Sequence, residues 1–449
     1  MKHLFSRLSP AQKIILSFLL VIFCGSLLLS LPWVQTASSQ ASYLDHLFTA
    51  VSMVCVTGLF TRSVVDTYNV WGQLLCMLLI QIGGLGILTF IGFFTMESRK
   101  KLSLKDRRIL RDSFSYGNNR TLGQFVRSIF ITTFSIEGLG ALLLMIRFIP
   151  KFGLRKGIFN SIFLAVSAFC NAGFDNFGND SLLGLQTDVL VNITLALLII
   201  TGGLGFMVWF DLATKLGGKQ KGLHFHTKVV LLLTAGLLVF GTVTSLWTEY
   251  NNPGTIGNLS FGDKLLVSFF QTVSMRTAGF ASIDYTAARP VTLFIYLLQM
   301  FLGGAPGGTA GGLKITTFLV LLLFARKEIL GLHHTNIGRR TLAPQLVQKA
   351  FGVTVIFQLT FLLGLLALGL VTDSSHRFIY LIFETVSALA TVGVTANITT
   401  SLNTAGMIVI MLLMFIGRVG PLTLMVSLNH YQPKKAATLH YSKADIMIG

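Results

Sequence analysis

The chain has 449 residues, of which 53% are hydrophobic and only 12% charged, and its mean hydropathy is +0.72. That balance excludes an ordinary soluble domain. The net charge of +18, from 35 basic against 17 acidic residues, would suggest nucleic acid in a soluble protein, but the basic residues are placed as a membrane orientation signal.

The first predicted element is an apolar run from Ile14 to Leu31, close to the ~20 residues that a helix needs to cross hydrocarbon. Its length and the lack of a small-residue cleavage site argue for a retained helix over a signal peptide. Comparable runs follow, for example Val229 to Trp247 and Phe351 to Val371. Basic residues collect in alternate connections: before Ile14, from Arg99 to Arg127, from Lys215 to Lys228, from Arg326 to Lys349, and after Pro433. These hold 24 of the 35, which puts those connections and both termini in the cytoplasm of a multi-pass cell-membrane protein. The opposite connections carry Asp45, Asp66, Asp175, Asp180, Asp188, Glu249, Asp263, Asp284 and Asp373. An acidic outer vestibule of that kind concentrates cations. Arg147, Lys151, Arg155 and Lys156 break the charge rule, with interfacial snorkelling as the one explanation that sequence offers.

One pattern, FxxxSxxxxxG, returns through the chain. It reads FTAVSMVCVTG at 48–58, FLAVSAFCNAG at 163–173 and FETVSALATVG at 383–393. The copy at 269–279, FFQTVSMRTAG, has its serine one place later when the glycines are aligned. Gly58, Gly173, Gly279 and Gly393 are 115, 106 and 114 residues apart, dividing the chain into four similar quarters. Each quarter has a long apolar helix, an outer loop, the short pattern, a second outer loop and a glycine-interrupted apolar helix. The last of these holds QIGGLG, TGGLG, LGGAPGG or IGRVGP at comparable distances from the pattern glycine. The ten or so residues before each pattern glycine are too short to span and too apolar for a solvated loop, so each is predicted to be a re-entrant half-helix. Backbone that leaves helical geometry at membrane depth must be buried in protein or line a water-filled cavity.

Four such half-helices direct their carbonyl ends at one point, which favours cations. The segments that follow are Val56, Thr57 and Gly58; Asn171, Ala172 and Gly173; Thr277, Ala278 and Gly279; and Thr391, Val392 and Gly393. They are predicted to stay extended with their carbonyls on the axis, the glycines supplying positive φ, and to replace the water of an alkali ion. Because backbone oxygens would do this, Thr57, Asn171, Thr277 and Thr391 need not match, and the absence of a carboxylate ring argues against a divalent ion. A single copy would read as an ordinary turn; the recurrence outweighs that. Cys24, Cys55, Cys76 and Cys170 lack CxxC spacing and read as small apolar residues, while His224 with His226 and His333 with His334 read as solvated loop histidines.

These filter segments, the two GGLG stretches, GGAPGGTAGG at 303–312 and GRVGP at 417–421 resemble the Trk/Ktr/HKT superfamily of potassium transporters, and within it the bacterial Ktr membrane subunit. The resemblance covers essentially the whole chain. It implies an all-α integral membrane fold of eight spans and four re-entrant pore helices about a pseudo-fourfold pore. Glycine in all four filters, including Gly58, implies potassium, whereas serine in the first accompanies sodium-selective relatives. Potassium is then the cargo, sodium a candidate activator, and no nucleotide binds this chain itself. A homodimer seated in lipid on a cytoplasmic ring of nucleotide-binding, RCK-type regulatory subunits is implied too, with no nucleic-acid partner.

Gly303, Gly304, Ala305, Pro306, Gly307, Gly308, Thr309, Ala310, Gly311 and Gly312 must interrupt the third inner helix. The stretch is no phosphate loop, since Leu313, not lysine, follows Gly312 and Lys314 comes one place too late. In the family it is a flexible gating loop below the filter; the competing reading is a static kink. Arg418, by the same resemblance, faces the pore beneath the filter, against the alternative of a structural ion pair. Arg276 is expected to brace the third filter through neighbouring carbonyls, with Glu137 and Glu384 as similar braces.

The quarters divide as 1–98, 99–214, 215–335 and 336–431, followed by a cytoplasmic tail at 432–449. The tail and the basic loops suit regulatory contacts, although the orientation rule alone also predicts polybasic loops. A channel-like potassium uptake pore is the leading reading. The alternative is an alternating-access monovalent cation carrier, sodium-coupled or sodium-selective. A membrane enzyme would require polar groupings that the sequence lacks, and a scaffold would have no use for repeated filters.

Overall fold

In the computed structural model, residues 10–86, 122–178, 181–218, 220, 222–372 and 377–420 are described. The basic stretch from Arg99 to Arg120, the acids Asp180 and Asp373, Pro421 and the 432–449 tail lie outside them.

The first quarter contributes α1 (Pro10–Leu29), α2 (Tyr43–Val54) and α3 (Val70–Leu85). The second has α4 (Leu122–Phe152), α5 (Leu154–Cys170), α6 (Val189–Gly203) and α7 (Phe206–Leu216). In the third are α8 (Phe225–Glu249), α9 (Phe261–Ser274), α10 (Pro290–Phe301) and α11 (Ile315–Ile329). A hairpin of β1 (Asn336–Ile337) and β2 (Arg340–Thr341) then leads to α12 (Pro344–Val371), α13 (Phe378–Leu389) and α14 (Thr404–Val419).

Local sequence sets where the short helices begin. Ser42 and Asp45 form a reciprocal capping box on α2, and Ser260 caps α9 through the Asp263 amide. Asn69, Asp188 and Asn403 cap α3, α6 and α14. Pro290 opens α10, where its missing N–H costs nothing.

The helices long and apolar enough to cross a bilayer lie at Ala11–Leu29, Phe125–Phe152, Phe225–Glu249 and Pro344–Val371, the first long helix of each quarter. Their outer faces carry bare leucines, with Leu363 66% and Leu370 78% exposed on α12, a surface suited to lipid and costly in water. The eight crossings expected from sequence are not reached by helix length alone among the described residues. The second helices have only 16, 15, 12 and 16 residues because each stops at glycine or a break. At about 1.5 Å per residue, none of these covers ~30 Å unaided. The second one turns by 97° between α6 and α7.

Packing closes these pieces into a ring. Each first helix lies against the pore helix of its own quarter: α1 on α2, α4 on α5, α8 on α9 and α12 on α13. Each second helix lies against the pore helix of the next quarter: α3 on α5, α6 on α9 and α10 on α13, with α14 returning to α2. The misplaced cation Arg147 gains an account here, for its guanidinium pairs with Asp188 at the start of α6. Lys151 lies over the Phe152 ring.

Candidate functional site

The four pattern glycines meet at the centre of the ring. A methyl group placed on Gly58 would lie 2.7 Å from the Ala172 carbonyl oxygen, and one on Gly173 would lie 2.7 Å from that of Ala278. On Gly279 it would sit 2.5 Å from the Val392 oxygen, and on Gly393 it would overlap the Thr57 oxygen. Each glycine therefore abuts the carbonyl of the residue before the next quarter's glycine, and the fourth closes on the first. At all four positions φ is positive, between 69° and 105°. Glycine is required twice over, by backbone conformation and by the neighbour's oxygen.

A second left-handed position stands two residues before each glycine, at Val56, Asn171, Thr277 and Thr391, with φ of 56°, 59°, 68° and 52°. Val56, Thr277 and Thr391 are β-branched and rarely adopt this region, so surrounding contacts hold those segments against strain, whereas Asn171 tolerates it. The segments are therefore not fully extended, as the sequence reading had them. Aligned on the glycines, Val56 stands with Asn171, Thr277 and Thr391, and Thr57 with Ala172, Ala278 and Val392.

The pattern serine has a structural role that sequence reading left unassigned. The Ser52 hydroxyl accepts from the Gly58 amide at 3.1 Å and that of Ser387 from the Gly393 amide at 3.0 Å. Ser167 accepts from the Phe174 amide at 3.0 Å, whereas the shifted Ser274 donates to the Phe280 carbonyl at 2.6 Å. The signal was present in the motif's fixed spacing. Inner-helix glycines are explained as well: Gly83, Gly202 and Gly417 lie against the carbonyls of Val54, Phe169 and Leu389, where a side chain would collide. Each of these carbonyls stands four residues before a pattern glycine, at the negative end of a short helix.

Beneath the ring lies the 303–312 stretch. Ala305 donates its amide to the Gly203 carbonyl at 2.9 Å, and the Gly307 carbonyl accepts from Phe206 at 3.0 Å. Thr309 reaches the Gly202 carbonyl with its amide and the Phe169 carbonyl with its hydroxyl, at 3.2 and 3.1 Å. The Gly311 amide donates to the Thr277 hydroxyl at 3.1 Å, and a side chain on Gly311 would strike Thr391. Lys314 donates to the Ala310 carbonyl at 2.7 Å. Arg418 spans the remaining gap, donating to the Thr309 carbonyl on one side and to the Gly83 and Gly84 carbonyls on the other. This loop and arginine thus touch all four quarters on one side of the glycine ring.

Residues 7–438 match the family model TrkH, cation transport protein. The chain belongs to the TrkH family. TrkH-family relatives are similar over nearly the full length. The Ktr system potassium uptake protein B of Bacillus subtilis is 39% identical, covering 99% of this chain and 97% of its own length. The potassium/sodium uptake protein NtpJ of Enterococcus hirae is also 39% identical, over 100% of this chain and 99% of its own. The crystal structure of the potassium transporter TrkH from Vibrio parahaemolyticus shares the fold at a TM-score of 0.75 and 17% identity, covering 93% of this chain and 84% of that one.

Other candidate residues of this TrkH-family chain sort by what they touch. Glu384 accepts from the Thr395 hydroxyl at 2.6 Å and from Thr399, bracing the segment after Gly393. Glu137 accepts from Gln81 at 3.3 Å, beside Cys170 at the end of α5. Arg276 does not bond filter carbonyls as expected: its hydrogen bond among the described residues goes to Thr234 on α8, at 3.4 Å. The predicted outer acids act mainly as caps and braces. Asp45 holds Ser42 and Thr61; Glu249 holds Asn252, Thr255 and Thr292; Asp263 holds Ser260; Asp284 holds Thr286. Burial pushes the Asp175 carboxyl up to about 6, opposed by hydrogen bonds from Ser181 and the Phe177 amide. Among the described residues no group of three or more His, Cys, Asp or Glu side chains could hold a metal ion. The hydroxyl oxygens of Thr57 and Thr391 are buried at the ring without a hydrogen-bond partner among the described residues.

Proposed function

We propose that the chain is the ion-translocating subunit of a potassium uptake system and conducts through a single central pore. The observation that carries this reading is the cyclic contact of Gly58, Gly173, Gly279 and Gly393, each against a main-chain oxygen of the next quarter. Segments 56–58, 171–173, 277–279 and 391–393 form the filter, and their carbonyls take the place of the ion's hydration shell. Pore-helix dipoles add a field that favours cations, and the absence of carboxylates suits a monovalent ion. The printed descriptions of the relatives, potassium uptake for one and potassium/sodium uptake for the other, support the choice of cargo.

The loop at 303–312 is the gate, held closed by Lys314 and Arg418. Its stitches are mostly single main-chain hydrogen bonds, which can exchange at modest cost. In this reading the quarters correspond to 1–98, 99–214, 215–335 and 336–431, each contributing one filter. The basic connections and tail face the cytoplasm, where a separate nucleotide-binding ring controls the gate of a homodimer. The charge distribution and the Ktr resemblance support that arrangement. The alternating-access alternative is not favoured, since the four glycine segments meet in one ring.

Uptake of rubidium and sodium into transport-deficient cells tests the reading. Gly58→Ser is expected to admit sodium, and deletion of 303–312 to leave a pore that no longer closes. Unchanged selectivity in the first would sink the filter assignment, and unchanged flux in the second the gate.

A further inference from the structure

A cavity of about 930 Å³ opens where α11 ends and α12 begins, at the basic end of the molecule away from the filter. It belongs to none of the machinery described above. Phe324 of α11, Leu342 after the hairpin, and Val347 and Phe351 of α12 make an apolar wall. Lys327, His333 and His334 supply its basic groups, beside the neutral Thr335, Thr341 and Gln348. A volume of this size is in the range that accepts a drug-sized ligand.

The surroundings select the ligand. Ile329, Leu330 and Leu346 are 83%, 56% and 48% exposed beside the opening, so apolar surface continues out of the cavity. Arg326, Arg339, Arg340 and Lys349 are exposed in the same stretch, and Glu328 is the single acid between residues 326 and 349. Bare aliphatic side chains interleaved with cations suit the plane where acyl chains meet phosphates. Lys327 is paired with Glu328 at 2.8 Å, but the Glu328 side chain is 56% exposed, and an exposed pair of this kind yields readily to a stronger anion. The histidine ring N–H groups can donate to phosphate oxygens. The chain's own tail is a poor occupant. From 421 to 449 it carries Lys434, Lys435 and Lys443 against Asp445 alone, so it repels a basic rim.

We propose that this cavity binds an anionic glycerophospholipid, with its phosphate held by His333, His334 and Lys327 and one acyl chain laid along Phe324, Leu342, Val347 and Phe351. The site has a lever on the pore. α11 begins at Ile315, immediately after the loop at 303–312 and Lys314, and its far end lines the cavity. A lipid bridging α11 and α12 fixes the exit of that loop. The consequence for gating rests on the reading above; the binding does not.

Binding is therefore measured directly. The full-length protein, stripped of lipid in neutral detergent, is titrated with phosphatidylglycerol or with phosphatidylcholine of the same chains, reading bound lipid by native mass spectrometry and the melting temperature. Wild type is expected to retain one phosphatidylglycerol and gain stability from it, with little effect of phosphatidylcholine. Gly352→Phe fills the cavity from a position where an added Cβ meets nothing within 4 Å, so the variant should fold. It and the double variant His333→Glu/His334→Glu should each bind about tenfold more weakly, with unliganded melting unchanged. Equal retention of both lipids would overturn the proposal, as would unaltered binding by both variants. So would full protection by inorganic phosphate alone, or lipid uptake that appears only after residues 432–449 are removed, which would make the tail the occupant.

Discussion

The second helices of the third and fourth quarters hold equivalent places in the ring, α10 against α13 and α14 against α2, yet they end differently. In the fourth, one glycine at 417 clears the Leu389 carbonyl and the helix runs on to Val419. In the third, the helix stops at Phe301 and resumes at Ile315, leaving the intervening main chain beneath the glycine ring. Close packing thus needs only one missing side chain, and a break is not its price. What the break adds is a set of amides and carbonyls that bond neighbours from the second and third quarters. The fourth-quarter helix supplies the arginine that bonds this loop.

The comparison breaks most sharply at Gly311. Gly311→Val drives methyl groups into the Thr391 hydroxyl and the Ala390 carbonyl, an overpacking of roughly 1–3 kcal/mol. Pushed from the filter, the loop should close less often, raising rubidium flux about tenfold. A fall in flux together with stability would mean that the loop is only a packing device.

Arg418→Met keeps the bulk and removes the donors to Thr309, Gly83 and Gly84. Flux should rise about fivefold, as expected from losing roughly 1 kcal/mol of closed-state bonding. A cysteine placed at Ala310 should be labelled faster by a water-soluble thiol reagent in this background. An unchanged labelling rate would remove the arginine from the latch.

Gly417→Ala should act on the other side of the comparison. Its methyl collides with the Leu389 carbonyl, so the melting temperature should drop, corresponding to about 1–3 kcal/mol, while flux per folded protein stays near wild type. A gating phenotype would erase the distinction between the two helices.

Ser387→Ala removes the acceptor for the Gly393 amide, a loss of about 1 kcal/mol that should relax rubidium over sodium discrimination severalfold in competitive uptake. The smallest effect concerns acid. With its carboxyl pushed up to about 6, Asp175 is charged above that pH and neutral below it. The neutral form no longer attracts cations at the outer mouth, so uptake at low rubidium should fall by about half as external pH drops from 7 to 5. Asp175→Asn should already show the lower rate at pH 7 and lose the step.

Much of the local design was legible in the sequence. The short half-helices ahead of Gly58, Gly173, Gly279 and Gly393 followed from the recurring pattern, and helices do end there at Val54, Cys170, Ser274 and Leu389. Other assignments needed the fold. The tripeptides suggested extended segments, and only the backbone angles showed that two of every three residues have positive φ. Arg276 was expected to serve its own filter but reaches Thr234, on a helix 42 residues away in sequence. The partners of Arg418 are carbonyls 109, 334 and 335 residues distant, and a main-chain oxygen leaves no residue-type signature.

By itself the sequence determined the apolar spans, the fourfold period and the glycines at its nodes, because periodicity and propensity act over a few turns of chain. Tertiary structure alone decided that each second helix packs on the next quarter's short helix, which carbonyl each glycine meets, and which carbonyls Arg418 bonds. Those contacts depend on the closure of a ring whose neighbours lie a quarter of the chain apart, and hydrogen bonds to backbone can be matched only once that ring has formed.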